Sequence, residues 1–180
     1  MSDSDTALVA RVIASDDRGA FELLVRRHQS AVRNFLRRLT RNDIERANDL
    51  AQDTFIKVYE GLHSYRGSAR FTTWLFRIAY HTFLNDQRGQ HASDEFNEDE
   101  HGSVADTTAD TAAAIDVDRA LGRLTVRQRA VFDLHYKKGM THSEIAEALE
   151  LPLGTIKSDL VRGHEKIKEL LSGERNEQTA

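Results

Sequence analysis

The sequence predicts an all-α protein made of two small helical domains joined by a flexible acidic linker. Apolar residues recur at steps of three and four in both halves of the chain, which is the period of an amphipathic helix. Pro152 is the only proline in 180 residues, and no convincing strand-like alternation is present. One central segment, residues 91–118, is too acidic and too poor in periodic apolar residues to form a packed core.

The net charge of −4 hides an uneven distribution along the chain. Residues 1–90 carry a balance of +3 and residues 119–180 carry +2, whereas residues 91–118 carry −9. The two basic blocks are compatible with nucleic-acid binding, although the whole-chain charge is not. The predicted organisation is a first domain over 1–90, the linker over 91–118, a second domain over 119–173 and a disordered tail over 174–180.

Four helices are predicted in the first domain, from apolar residues at helical spacing. Their approximate bounds are Thr6–Ser15, Gly19–Thr40, Ile44–Leu62 and Phe71–Arg88. Asn42 or Asp43 is expected to be the N-cap of the third helix. His28 falls on an apolar stripe, so we expect a hydrogen-bonded core residue there. The domain is therefore predicted to be a helical bundle.

The second domain contains two short helices separated by a tight corner. Thr125 is a suitable N-cap for the helix before them, and Gly139 is suited to end that helix. The segment Thr141–Glu144 has the spacing of a capping box. Pro152 lies at the corner, and the last helix is predicted from Leu153 to Leu171.

The outward face of this last helix combines hydroxyl, cationic and small apolar side chains. Hydroxyl and cationic groups bind phosphates, an arginine reads a guanine edge, and a valine contacts the thymine methyl. This combination favours a DNA-binding helix-turn-helix over an ordinary solvated surface. Asp159 is expected to add a carboxylate near the phosphates. The candidate contacts with DNA are Thr155, Lys157, Ser158, Val161, Arg162 and Lys166.

Aromatic residues and arginines are interleaved between Tyr65 and Arg88. Aromatic rings stack on unpaired bases and guanidinium groups bind the backbone, so this composition is typical of single-stranded DNA sites. A helical core built partly from aromatic residues explains the same pattern equally well. Composition alone leaves both interpretations open.

Three stretches give the chain a resemblance to the extracytoplasmic-function sigma factors of the sigma-70 family. They are DLAQDTFIKVYEGLHSYRG at 49–67, RFTTWLFRIAYHTFLNDQR at 70–88 and LTVRQRAVFDLHYKKGMTHSEIAEALELPLGTIKSDLVRGHEKI at 124–167. The resemblance implies a first domain that binds the clamp coiled coil of the largest subunit of core RNA polymerase and opens the minus-ten promoter element. It implies a second domain that reads the minus-thirty-five element as duplex, and regulation by an anti-sigma factor.

The resemblance also implies individual site residues. The expected polymerase contacts are Asp49, Gln52, Asp53 and Lys57. The loop Ser64–Arg70 matches the family's pocket for a base flipped out of the melted strand. The expected minus-ten contacts are Arg66, Arg70, Phe71, Trp74, Arg77 and His81.

Two residues differ from those common in the family, and the role of the linker is open. His81 stands where many relatives carry asparagine, and Asp159 stands where a basic residue is common, so we expect altered promoter preferences. The acidic linker either imitates RNA phosphates inside the polymerase or is a plain tether.

The alternative function is a two-domain helix-turn-helix transcriptional regulator that acts without being a polymerase subunit. It would need a ligand-binding or phosphoacceptor domain, and the first block has no such pattern. The sequence does not predict an enzyme, because it has no cysteine, no glycine-rich phosphate loop and no metal-ligand spacing among its eight histidines. No catalytic residue, metal or cofactor is expected. The lack of a long apolar segment predicts a cytoplasmic protein without membrane insertion.

Overall fold

The computed structural model describes residues 3–93 and 122–177, and it describes side chains over 3–90 and 122–169. Every regular element within these ranges is helical, and the chain forms two compact units, which confirms the predicted all-α, two-domain class. The predicted linker lies outside the described residues, apart from its first three positions. No helix in these ranges is long and apolar enough to cross a membrane.

Within residues 3–93, four α-helices form the first unit. Helix α1 spans Asp5–Ser15, α2 spans Arg18–Leu39, α3 spans Ile44–Gly61, α4 spans Phe71–Ser93, and a 3₁₀ turn, Leu62–Ser64, directly follows α3. All four predicted helices are present. Helix α4 extends past its predicted end at residue 88, to Ser93.

Side-chain caps begin the first three helices. Ser4, Asp17 and Asp43 each accept the backbone N–H three residues further along the chain. Asp43, not Asn42, is therefore the N-cap of α3. Asn42 instead lies in the left-handed region with φ 68°, which asparagine tolerates better than most residues.

Helices α2, α3 and α4 enclose an apolar core. Phe35 on α2 meets Phe76 on α4 edge to face, with 5.3 Å between ring centroids. Val58 on α3 is fully buried in the same core. At one edge, Arg46 on α3 forms a 2.6 Å salt bridge with Asp86 on α4. The core therefore joins the three long helices into one support for the loop that precedes α4.

Polar contacts attach α1 to α2. The Asp5 carboxylate accepts from Arg27 at 2.5 Å and lies 2.9 Å from Nε2 of His28. His28 is buried, so the prediction of a hydrogen-bonded core histidine is confirmed. Arg11 near the end of α1 forms a 2.7 Å ion pair with Asp17, the cap of α2.

Within residues 122–177, three α-helices form the second unit. Helix α5 spans Val126–Phe132 and continues into a π-helical segment, Asp133–Lys137; α6 spans His142–Leu149 and α7 spans Leu153–Glu177. The π-helical segment was not anticipated from the sequence. Residues 174–177, predicted as part of a disordered tail, continue α7.

Close packing joins α5 to α7. The ring of Phe132 lies against Gly163, where an added Cβ would stand 2.3 Å from a ring carbon. Ile145 and Ile156 are fully buried, as their apolar stripes predicted. On α6 the buried alanine is Ala148, whereas Ala146, predicted to face inward, is half-buried.

Candidate functional site

The loop between the 3₁₀ turn and α4 is the first candidate surface. Gly67 in this loop has φ 69°, a conformation that glycine adopts without steric strain. The Tyr65 hydroxyl donates a 2.7 Å hydrogen bond to the carbonyl of Ala69, which closes the loop on itself. Burial, reinforced by the negative charge of Asp5, raises the pKa of Tyr65, so the hydroxyl stays protonated as a donor.

Three aromatic rings stand together behind this loop. The Tyr65 ring centroid lies 5.2 Å from that of Trp74 and 6.0 Å from that of Phe71. Phe71 is only 5% exposed, and it also packs on His28 at 5.5 Å. The structure thus places Phe71, which was expected to contact DNA, as a support under the loop, because the first turn of α4 directs it into the bundle. Tyr65 and Trp74 are the half-buried rings that keep accessible surface.

Basic side chains surround the same loop. Lys57 on α3 donates a 3.3 Å hydrogen bond to Thr82 on α4, which brings its ammonium group to this side of the bundle. Trp74 and Lys57 line one depression together with several of the predicted minus-ten residues. Those residues are Arg66, Arg77 and His81, and Arg70 is exposed at the end of the loop.

A groove between α2 and α3 is the second candidate surface. It has a volume of about 840 Å³ and a largely apolar lining. The lining includes Gln52, and it includes Ile56, whose side chain is unusually exposed for isoleucine at 55%. The apolar part of the lining is Phe21, Val25, Ala51, Phe55, Ile56 and Tyr59.

Helix α3 separates the four predicted polymerase residues onto different faces. Gln52 lines the α2–α3 groove, whereas Lys57 reaches α4 on the opposite side. Asp49 and Asp53 are exposed and lie between these two faces by helical position. Ile56 was not predicted as a site residue. Its position outside the buried stripe of α3 could have been inferred from the helical spacing of the sequence.

The corner before α7 has a defined backbone geometry. The N–H of Glu144 donates to Thr141 Oγ1 at 3.2 Å, and the N–H of Thr141 donates to Glu144 Oε2 at 2.8 Å, so the predicted capping box is confirmed. Glu150 has φ 55°, and the N–H of Leu151 donates to the carbonyl of Ala146 at 3.0 Å. These bonds end α6 sharply and begin α7 in a new direction.

The predicted DNA face of α7 points outward. Lys157, Arg162 and Lys166 are exposed, and Thr155 and Ser158 are half-buried. Val161 is 58% exposed among these basic side chains. All six candidates for the minus-thirty-five element are therefore available on one helix, and the geometry suits insertion into a major groove.

Asp159 does not share this outward exposure, because its carboxylate is turned into the protein. Its side chain is 2% exposed. It accepts two hydrogen bonds from Arg127 on α5, Nε to Oδ2 at 2.6 Å and Nη2 to Oδ1 at 3.3 Å. Asp159 is directed inward because it borders the buried positions Ile156 and Gly163 on α7. Sequence reasoning missed Arg127, since no local signal links residues 32 positions apart.

Comparison with known proteins identifies both units. The Sigma-70 region 2 family matches residues 24–92, and the Sigma-70, region 4 family matches residues 114–167. The chain is 36% identical to the ECF RNA polymerase sigma factor SigM of Mycobacterium tuberculosis, over 93% of this chain and 85% of the relative. It is 33% identical to the RNA polymerase sigma-H factor of Pseudomonas aeruginosa, over 94% of each protein. It is 34% identical to the ECF RNA polymerase sigma-E factor of Haemophilus influenzae, over 92% of this chain and 94% of the relative.

Solved structures share the fold. The sigma factor RpoE from Bartonella quintana, in complex with the anti-sigma factor NepR, matches with a TM-score of 0.71 and 25% identity, over 84% of this chain and 96% of that one. CnrH, in complex with the cytosolic domain of CnrY, has a similar fold, with a TM-score of 0.69 and 24% identity over 95% and 99% of the two chains. The chain therefore belongs to the sigma-70 family and is an extracytoplasmic-function sigma factor, a polymerase-binding protein that directs transcription initiation at promoters.

Proposed function

We propose that three surfaces of this sigma factor perform separate tasks. The α2–α3 groove binds the clamp coiled coil of the largest subunit of core RNA polymerase. The loop before α4 and the basic residues around it hold the melted minus-ten strand, and α7 reads the minus-thirty-five duplex. The observation that carries the proposal is the division of α3, with Gln52 in the apolar groove and Lys57 beside α4.

The chemistry of the α2–α3 groove suits a helical protein partner. Exposed apolar surface such as Ile56 gains stability when a partner removes it from water. Asp49 and Asp53 are exposed beside the groove, where they can pair with basic residues of a coiled coil. Their charges favour selection and orientation of the partner more than affinity.

The loop surface suits an unpaired base. A base that leaves the duplex loses a few kcal/mol of stacking and pairing. Stacking on an accessible ring such as Tyr65 or Trp74 returns about 1–3 kcal/mol per base. Arg66 and Arg70 then hold the strand through its phosphates, and in this arrangement Lys57 acts with the DNA residues rather than with the polymerase residues.

The α7 surface suits duplex DNA, because a regular helix presents its side chains in a fixed register to a major groove. Arg162 offers a bidentate donor to a guanine edge, and Val161 offers methyl groups to thymine. Lys157 and Lys166 neutralise phosphates on either side. The second domain, residues 119–173, is thus the minus-thirty-five domain, and the first, residues 1–90, binds polymerase and the minus-ten element.

The proposal extends to the regulation of the chain and to the compartment in which it acts. The similarity to RpoE, solved with the anti-sigma factor NepR, supports control of this chain by an anti-sigma protein. The chain acts in the cytoplasm, because RNA polymerase and promoter DNA are there. The catalytic chemistry of RNA synthesis belongs to the polymerase, so the chain is not itself an enzyme.

Two exposed isoleucines of α3 provide a matched test of the groove. Ile56 is 55% exposed in the groove, and Ile44 is 57% exposed outside it. We expect Ile56→Ala to raise the Kd for core RNA polymerase about fivefold, which corresponds to about 1 kcal/mol of lost apolar burial. Ile44→Ala should leave the Kd unchanged. Titration of the fluorescently labelled full chain with core polymerase measures both, and equal values for the two variants would contradict the groove assignment.

The same titration separates the sigma factor from the alternative regulator. A regulator that works without joining polymerase binds duplex DNA alone and shows no saturable binding to the core enzyme. A sigma factor binds the core enzyme and confers promoter-specific transcription on it. If the wild-type chain binds duplex DNA but neither binds the core enzyme nor confers promoter-specific transcription on it, the regulator is favoured.

A further inference from the structure

We propose that Arg127 is a contact for a promoter phosphate and that the buried Asp159 carboxylate is the positioning residue that orients it. This inference rests on the proposed role of α7 in reading the minus-thirty-five duplex. It adds to that site a residue from a different helix, α5, and it gives a role to an acidic residue inside a DNA-binding helix.

The burial of Asp159 shows that its carboxylate is directed into the protein and not toward solvent. A carboxylate with 2% exposure is costly to bury unless a charged or hydrogen-bonded partner compensates for the lost water. Arg127 meets this need with two donors, Nε at 2.6 Å and Nη2 at 3.3 Å, one to each carboxylate oxygen. This two-point contact fixes the plane of the guanidinium group as well as its position.

Arg127 itself is not buried by this pairing. Its side chain remains 47% exposed, in contrast to the 2% of Asp159. The carboxylate thus lies on the protein side of the pair and the guanidinium group lies on the solvent side. A phosphate approaching from solvent would meet the cation first, so the pair attracts an anion at close range although its net charge is zero.

The position of Asp159 along α7 places this cation beside the DNA face. Thr155 precedes Asp159 by four residues and Arg162 follows it by three, so both neighbour it on the helix surface. Both are candidate DNA contacts, and Thr155 is half-buried at the edge of the exposed face. Asp159 therefore holds Arg127 at that edge, at a point where a phosphate flanks the bases read by α7.

The salt dependence of promoter binding tests this proposal. The protein is the holoenzyme formed from the full chain and core RNA polymerase. The probe is a duplex carrying the minus-thirty-five sequence that the wild-type holoenzyme selects from a random pool. The affinity falls as salt rises, and each phosphate contact that is lost reduces the magnitude of the slope of log affinity against log salt by about 0.9. A change in folding stability alone leaves that slope unaltered.

The main variant is the double substitution Arg127→Gln with Asp159→Asn, which removes both charges and leaves no unpaired buried carboxylate. We expect its affinity to fall about tenfold and its salt slope to fall by about 0.9. Asp159→Asn alone keeps the cation but loosens its orientation, so affinity should fall severalfold with the slope retained. The matched control is Lys137→Gln, which removes an exposed cation of the same unit outside the proposed site and should change neither value.

Several outcomes would overturn the proposal. A folded double variant with the wild-type affinity and slope would make the pair purely structural. A slope reduced equally by Lys137→Gln would show a general charge effect instead of a contact. If the wild-type holoenzyme selects no upstream sequence at all, the proposed role of α7 is refuted together with this inference. If the wild type selects a sequence but the Arg127 variants keep its affinity and salt slope, only this inference is refuted.

Discussion

The surface proposed for the minus-ten strand is a loop, and the surface proposed for the minus-thirty-five duplex is a helix. The loop is closed by the hydrogen bond from Tyr65 to Ala69 and is supported by the rings behind it. Helix α7 keeps its position through close packing against Phe132 and through the Asp159–Arg127 pair. An unpaired base needs a shaped pocket, whereas a duplex needs side chains in a fixed register, which a rigid helix supplies.

The largest expected effect tests the rigidity of α7. Alanine is normally the better helix former by about 0.5–1 kcal/mol. At Gly163, however, the new Cβ would lie 2.3 Å and 2.8 Å from two carbons of the Phe132 ring. Overpacking of this kind costs about 1–3 kcal/mol, so Gly163→Ala should lower the unfolding free energy of the second unit by that amount. Urea denaturation followed by circular dichroism measures it.

Gly154 provides the control on the same helix, because an added Cβ there meets no atom within 4 Å. Gly154→Ala should leave stability unchanged or raise it by up to about 1 kcal/mol. If Gly163→Ala proves equally harmless, α7 does not depend on close packing against Phe132, and the contrast between the two surfaces loses its main support.

An intermediate effect is expected at the loop. Tyr65→Phe removes only the hydroxyl that donates to Ala69. A net hydrogen bond contributes about 0.5–1.5 kcal/mol, so formation of the open promoter complex should fall about two- to tenfold. Permanganate reactivity of the melted strand measures the opening. Tyr136→Phe removes a hydrogen-bonded hydroxyl from the second unit instead, and an equal loss of opening there would argue against a specific role of the loop.

The smallest expected effect concerns acid stability of the first unit. The backbone N–H of Ala20, followed by the guanidinium of Arg11, holds the pKa of Asp17 below its ordinary value. Its contribution to stability is therefore complete above the ordinary aspartate pKa of about 3.9 and is lost as pH falls below it, through the lowered pKa of the folded state. Urea unfolding followed by the fluorescence of the single tryptophan, Trp74, reports on this unit. Asp17→Asn should reduce the dependence of the unfolding free energy on pH in that acidic range. An unchanged pH dependence would assign the acid sensitivity to other groups.

Local features of the fold were predictable because their signals lie within a few residues of one another. The capping box of Thr141 and Glu144 needs only a three-residue spacing, and the left-handed end of a helix at Gly139 needs only the residue type. Apolar periodicity placed all four helices of the first unit. The outward face of α7 followed from the same periodicity, which is why its six candidate residues lie together on one helix.

The positions of the helices, most of their ends and the residue types that face outward therefore follow from local sequence patterns. Which of the outward residues share a surface is set by the tertiary structure. It placed Lys57 beside Thr82, buried Phe71 under the loop and paired Asp159 with Arg127. These outcomes depend on which helix packs against which, and a contact between residues far apart in the chain leaves no trace in local spacing. A charged residue at the edge of a helical stripe can face solvent or a partner, and only the neighbouring helix decides between them.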